Sequence, residues 1–158
     1  MLTQLSWKWV VVLVALLAAG CASSPDYTYD DLYKPTDEVK STSDKITQTT
    51  GNPAVIDLWN KAEDARKTGD YETAAMQLER ALRIEPNDAV MWSRLAEVQL
   101  RQENANQAEN LAAKSNAMSL DNPLLNYRNW LIIRDARALK GDDIGAQEAE
   151  YTANSFKP

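Results

Sequence analysis

Histidine is absent from the chain, and cysteine occurs once, at Cys21. The first absence excludes imidazole acid–base chemistry, nucleophile triads that depend on an imidazole, and histidine metal sites. The second means that no intramolecular disulfide forms in any compartment. Basic residues are the minority, 17 against 23 acidic, whereas a protein that tracks nucleic-acid phosphates needs a basic face, so no nucleic-acid partner is expected. No Gly-rich phosphate loop, cysteine cluster or nucleophile elbow is present. The longest apolar run, Trp9 to Ala19, has 11 residues, whereas spanning a bilayer takes roughly 20. What remains, in 158 residues of which 44% are hydrophobic, is one ordinary globular domain with additions.

The first addition is an address. Residues 1–20 carry Lys8 ahead of the apolar run and read as a signal peptide rather than a membrane span. Its end, Leu17-Ala-Ala-Gly-Cys21, resembles the lipobox of bacterial lipoproteins, with Ala18 in the place usually held by leucine. That resemblance implies that Cys21 is acylated and becomes the first mature residue. Ala22, rather than aspartate, then implies the outer membrane of a Gram-negative cell. Several acyl chains on one cysteine hold a protein on a membrane far more firmly than one chain does.

Residues 21–51 form the second addition, a lipidated cysteine followed by a polar tether. No helical or alternating apolar period runs through it, so burial is not expected to offset its ordering entropy, and it reads as disordered. As a flexible chain of this length its typical end-to-end distance is about 30 Å, with an extended limit near ~100 Å. Tyr27, Tyr29 and Tyr33 stand among Asp26, Asp30 and Asp31. They are either a spacer with aromatic residues near the membrane or a short segment that orders on contact.

Residues 52–158 are all-α in pattern. Asn52-Pro53 and Asn122-Pro123 are helix starts, an asparagine cap followed by proline at the first helical position. Between Pro53 and Pro86 the chain reads as two helices hinged at Gly69. Leu58, Ala62, Gly69, Ala74, Leu78, Ala81 and Pro86 match the large, small, glycine, alanine, large, alanine and proline order of the tetratricopeptide repeat. The unit resembles that repeat. Ala74 to Ala108 is 34 residues, the repeat's period, and Ala108 to Ala146 is 38. The expected fold is a tetratricopeptide-like stack of three helical hairpins, with repeats near 55–88, 89–122 and 127–158. The four extra residues are placed in a lengthened fourth helix, from Lys114 to Leu120. The copies decline along the chain: Glu103 stands where the turn glycine belongs, Arg134 at a small packing position, and Glu150 at a large apolar one. Arg134 and Glu150 read as a polar end face closing the stack.

The paired acids Glu63-Asp64 and Asp142-Asp143 could in principle do carboxylate acid–base work. Near helix ends, they read as solvation and capping groups instead. Charge differs between helices: the first helices of the three pairs hold nine cationic residues against five acidic ones, and the second helices are neutral or acidic. In tetratricopeptide proteins the first helices line the concave groove, so the resemblance implies a cationic groove on an acidic protein. Arginine and tryptophan most often anchor interfaces. The candidate partner-binding residues are therefore Trp59, Arg66, Arg94, Arg101 and Arg128, gripping an acidic or carboxylate-bearing segment; the alternative is a solvated face with scattered ion pairs. On the groove reading, reversing charge at Arg94 and Arg101 abolishes partner binding without unfolding the domain. Trp92 and Trp130 read as core wedges, while Trp59 sits one residue beyond the matching core place and reads equally as core or as ligand platform.

The whole arrangement is lipobox, acidic tether, two well-formed repeats, and a third containing Asn129-Trp130-Leu-Ile-Ile-Arg134 and Ala136-Arg137. It resembles the tetratricopeptide outer-membrane lipoproteins that activate class A penicillin-binding proteins, the bifunctional peptidoglycan synthases. That resemblance implies a non-enzymatic protein on the periplasmic face of the outer membrane, with a class A penicillin-binding protein as partner and with no cofactor, metal or small-molecule substrate. The rival is a pilotin-like or general envelope assembly adaptor that binds a secretin, a pilus subunit or another envelope protein. Such adaptors usually carry roughly twice as many repeats. A wall hydrolase remains only if one carboxylate pair proves essential, which a glycan-release assay would reveal.

Overall fold

The computed structural model describes residues 42, 45–48, 50–119 and 121–158; the signal peptide, Cys21 and the tether as far as Ser41 lie outside them. Among the described residues there are six helices and no strand: α1 (Pro53–Lys67), α2 (Tyr71–Ile84), α3 (Ala89–Arg101), α4 (Ala105–Met118), α5 (Pro123–Leu139) and α6 (Asp143–Asn154). Each start has a local cause. Asn52, Asp70, Asp88, Asn122 and Asp142 each accept a hydrogen bond from a backbone N–H of the first turn, at 2.9 to 3.1 Å, which satisfies donors a helix leaves open. Asn104 caps nothing and instead donates from Nδ2 to Gln99 Oε1 at 2.8 Å.

The three hairpin turns are built alike. Asp70 N, Asn104 N and Asp142 N bond back to Ala65 O, Gln99 O and Arg137 O at 2.9, 2.9 and 3.0 Å. The residue before each is left-handed, with φ of 81° at Gly69, 65° at Glu103 and 74° at Gly141. Glu103 thus holds the glycine conformation without being glycine, and its Cβ makes that costly.

Alanines let the helices approach. Ala62, Ala74, Ala81, Ala96, Ala108, Ala112, Ala136, Ala149 and Ala153 are all at most 1% exposed. Around Ala62, Ala74 and Ala81, the residues Val55, Leu58, Leu78, Met91, Leu95 and Val98 close one core shared by the first three helices. Trp130 and Phe156 pack on Tyr127, Leu131 and Ala153 in the last hairpin. Trp92 lies half-buried against the first core and donates from Nε1 to Pro86 O at 2.7 Å, and Lys114 Nζ sits 3.5 Å from its ring centroid. Between α4 and α5 the seam is polar: Asn129 Nδ2 donates to Ser115 Oγ at 2.8 Å and to Asn116 Oδ1 at 2.9 Å. Ser119 bonds Asn126 in the same seam. Buried polar pairs of this kind fix how the third hairpin registers on the second, since a slip would strand them.

Three expectations change. The four extra residues lie in α5, not in the fourth helix: α5 has 17 residues against 13 in α3, while α2 and α4 both have 14. The caps show why, since Asp70 to Asp88 and Asn104 to Asn122 are equal intervals, so the second helices keep their length. Of the supposed polar end face, Glu150 is exposed as expected. Arg134, however, is 9% exposed and ion-paired to Asp135 at 2.7 Å. Finally, the last tether residues are packed rather than solvated: Ile46 is 6% exposed. Gln48 Nε2 donates to Asp88 Oδ2, and Thr50 Oγ1 to Glu85 Oε1, both at 2.6 Å. A lone isoleucine has no period to betray it.

Candidate partner-binding site

α1 and α3 wall a cleft of about 480 Å3 lined by Ile46, Thr47, Trp59, Asn60, Glu63, Asp64, Lys67 and Arg94. Spacings of three and four residues put Trp59, Glu63 and Arg66 on one stripe of α1, and Arg94, Glu97 and Arg101 on one stripe of α3. The two stripes and α5 meet in an ion cluster. Arg94 reaches Glu63 Oε1 at 2.7 Å and Glu97 Oε2 at 2.6 Å; Arg128 reaches Glu97 Oε2 at 2.5 Å and Ser93 Oγ at 3.3 Å. Arg66 pairs with Glu63 at 3.0 Å and stands 3.7 Å from Glu97. The Arg94 guanidinium lies 5.5 Å from the Trp59 ring centroid, within cation–π range.

Burial drives the Glu97 carboxyl upward, but Arg128, Arg94 and Arg66, in that order, outweigh it and hold its pKa at about 2. Burial lowers the Arg128 pKa, with Glu97 opposing. Three guanidiniums, those of Arg66, Arg94 and Arg128, converge on the carboxylates of Glu63 and Glu97.

Four of the five predicted residues, Trp59, Arg66, Arg94 and Arg128, are therefore gathered into one cluster. Arg101 stands apart, with its guanidinium 6.0 Å from the Tyr71 ring centroid. Their exposure differs from expectation: Arg94 is 1% and Arg128 0% exposed, and Trp59, 8% exposed, both packs in the core and lines the cleft. Arg94 is desolvated between Glu63 and Glu97 in the cleft wall, and Arg128, fully buried against Glu97 and Ser93, lies behind it, so neither guanidinium is presented to a partner as an exposed grip. Arg101 is half-buried, and its Nε is buried without a hydrogen-bond partner.

Sequence reasoning missed the acids that organise the cluster. Glu63 was assigned to solvation and Glu97 only counted as a charge. Yet Glu63 and Glu97 lie one repeat period apart, as do Arg94 and Arg128, and a carboxylate recurring at one repeat position with arginines at the next was a readable signal. Of the other acid pair, Asp142 is the cap of α6.

The tetratricopeptide-repeat family profile matches residues 65–125. Among solved structures, the globular C-terminal domain of P. aeruginosa LpoP is 36% identical, with a TM-score of 0.63, over 68% of this chain and 99% of that one. The chain belongs to the LpoP family. No curated protein sequence matches it. As in the LpoP structure, the matched portion is a globular domain, and the LpoP-type fold of stacked helical hairpins is an interaction fold, suited to a protein partner.

Proposed function

We propose that this protein is a non-enzymatic lipoprotein, anchored in the outer membrane through Cys21, that binds a class A penicillin-binding protein and activates peptidoglycan synthesis. The carrying observation is the 36% identity that extends over 99% of the LpoP domain. The lipobox-like end at Cys21 and the polar segment after it support an anchored domain that crosses part of the periplasm. Activation then needs no chemistry from the protein itself: a lipoprotein that binds the active state of the synthase more tightly than the inactive one shifts the population toward activity.

The test is affinity capture from crosslinked cell envelopes, using the mature chain with Cys21 replaced and an epitope after Pro158. Recovery of a class A penicillin-binding protein, followed by faster glycan-strand synthesis in its presence, is the expected result. Recovery of secretin or pilus components alone would move the protein to the assembly adaptors.

A further inference from the structure

We propose that the solvent-facing stripe of α6 centred on Ile144, Glu148 and Tyr151 is the surface on which the protein partner docks, and that the partner meets it with apolar side chains set beside lysine or arginine. Ile144 and Tyr151 are 75% and 82% exposed, the most exposed of the large apolar residues among those described. Seven residues apart on a helix, they share one stripe about 10 Å long, with Glu148 between them. Stacking of the hairpins does not call for them. They stand two and nine residues after the cap Asp142. The same places after the caps Asp70 and Asn104 hold Glu72 and Glu79 in α2, and Asn106 and Ala113 in α4, all exposed. Solvent thus meets this stripe in every hairpin. On it α2 has a single large apolar residue, Met76 between two glutamates, and α4 has none, whereas α6 has two.

Charge decides what fits. α2 and α4 hold as many cationic as acidic residues, whereas α6 holds Asp143, Glu148 and Glu150 and no lysine or arginine. An apolar pair inside an uncompensated negative field selects a surface that brings its own cations, and it repels an anionic lipid surface. Tyrosine offers such a partner a large apolar ring with a polar tip, and it is enriched among the residues that carry interface energy. A second copy continuing the stack end to end does not fit. The residue eight after the cap is buried in α2 and α4, as Leu78 and Ala112, but in α6 it is the exposed Glu150, and covering that carboxylate without a cation is costly. That the partner is the class A penicillin-binding protein rests on the function proposed above.

The test is a titration of the periplasmic region of a class A penicillin-binding protein against the full mature chain with Cys21→Ser and against three variants of it. Ile144→Ser with Tyr151→Ser removes the apolar pair, Glu148→Lys reverses the charge between them, and Asn106→Ser with Ala113→Ser alters the equivalent places of α4. All five positions are exposed, so circular dichroism and thermal melting are expected to stay those of the parent. Both α6 variants are expected to bind at least tenfold more weakly than the parent, and the α4 variant equally well; either α6 variant decides alone should the other fail to fold. Parent-like binding by a folded α6 variant, or an equal loss in the α4 variant, overturns the docking surface and leaves the proposed function standing. No binding by the parent removes that function, and with it the partner assigned here. Sedimentation equilibrium covers the remaining occupant: a parent that dimerises, beside a monomeric chain carrying Ile144→Ser and Tyr151→Ser, would give the face to a second copy and overturn the proposal.

Discussion

Glu97 on α3 and Arg128 on α5 meet at 2.5 Å although they are 31 residues apart in sequence, and both are at most 2% exposed. This pair joins the second hairpin to the third at a point where Arg94 and Arg66 also converge. Removing the carboxylate leaves desolvated guanidiniums with too little negative charge, and breaking a buried pair in this way typically costs about 3–5 kcal/mol. Glu97→Ala is therefore expected to lower the urea midpoint strongly with little change of slope. Replacing Glu97 and Arg128 together by methionine is expected to recover much of the loss.

The same carboxylate sets an acid limit. Its pKa is held at about 2 in the folded chain against an ordinary 4.5, so as pH falls the unfolded chain takes up the proton first. The stability this group contributes is whole above pH 4.5 and is lost progressively down to about 2. A difference of that size corresponds to about 3 kcal/mol. Glu109 adds in the same direction, since hydrogen bonds from Lys140 and Arg137 outweigh its partial burial. Urea unfolding at pH 7, 5, 4 and 3 checks this, and Glu97→Gln should flatten the acid limb.

Glu103 carries φ of 65° at a turn where Gly69 and Gly141 carry 81° and 74°. Glycine adopts this region without the Cβ clash, and relieving it at a non-glycine position is worth about 1 kcal/mol. Glu103→Gly is expected to raise the melting temperature by about 4–8 °C. Gly69→Ala and Gly141→Ala should lower it, because alanine meets the same clash there.

Anchoring is separable from folding. If Cys21 bears the acyl chains, Cys21→Ser moves the protein from the envelope pellet to the soluble periplasmic fraction, with the circular dichroism of the helical domain unchanged. A variant that still sediments with the envelope would remove the anchor from the account.

The hairpins, their caps and their turns were legible because each rests on local chemistry: Asn52-Pro53 and Asn122-Pro123 announce helix starts, and Gly69 and Gly141 announce turns. The 34-residue recurrence from Ala74 to Ala108 gave the stack. What was not legible depends on contacts between repeats. Arg94 and Arg128 look like groove cations until Glu63 and Glu97 are placed between them, and nothing within either helix says that a guanidinium is enclosed. Ile46 shows the same limit, since a single apolar residue in a polar stretch becomes visible only when the surface that receives it is known. The longer α5 was misplaced because residue counting between Ala108 and Ala146 does not say which helix absorbs a turn.

These placements separate two arginines that the sequence treated alike. Arg94 is 1% exposed and bonded to both Glu63 and Glu97, so Arg94→Glu sets three carboxylates together in a desolvated site. It is expected to destabilise the domain by at least the ~3–5 kcal/mol of a broken buried pair, and any loss of binding would follow from unfolding. Arg101 faces only the Tyr71 ring at 6.0 Å, a contact worth about 0.5–1 kcal/mol at a partly exposed site. Arg101→Glu should leave the thermal melt within a few degrees of the parent. If a carboxylate-bearing partner uses this half-buried guanidinium, the same variant should weaken capture of the synthase at least tenfold, which is about 1.4 kcal/mol. Unchanged capture by a folded Arg101→Glu chain would take Arg101 out of the interface, and with it the one predicted arginine that stands outside the ion cluster.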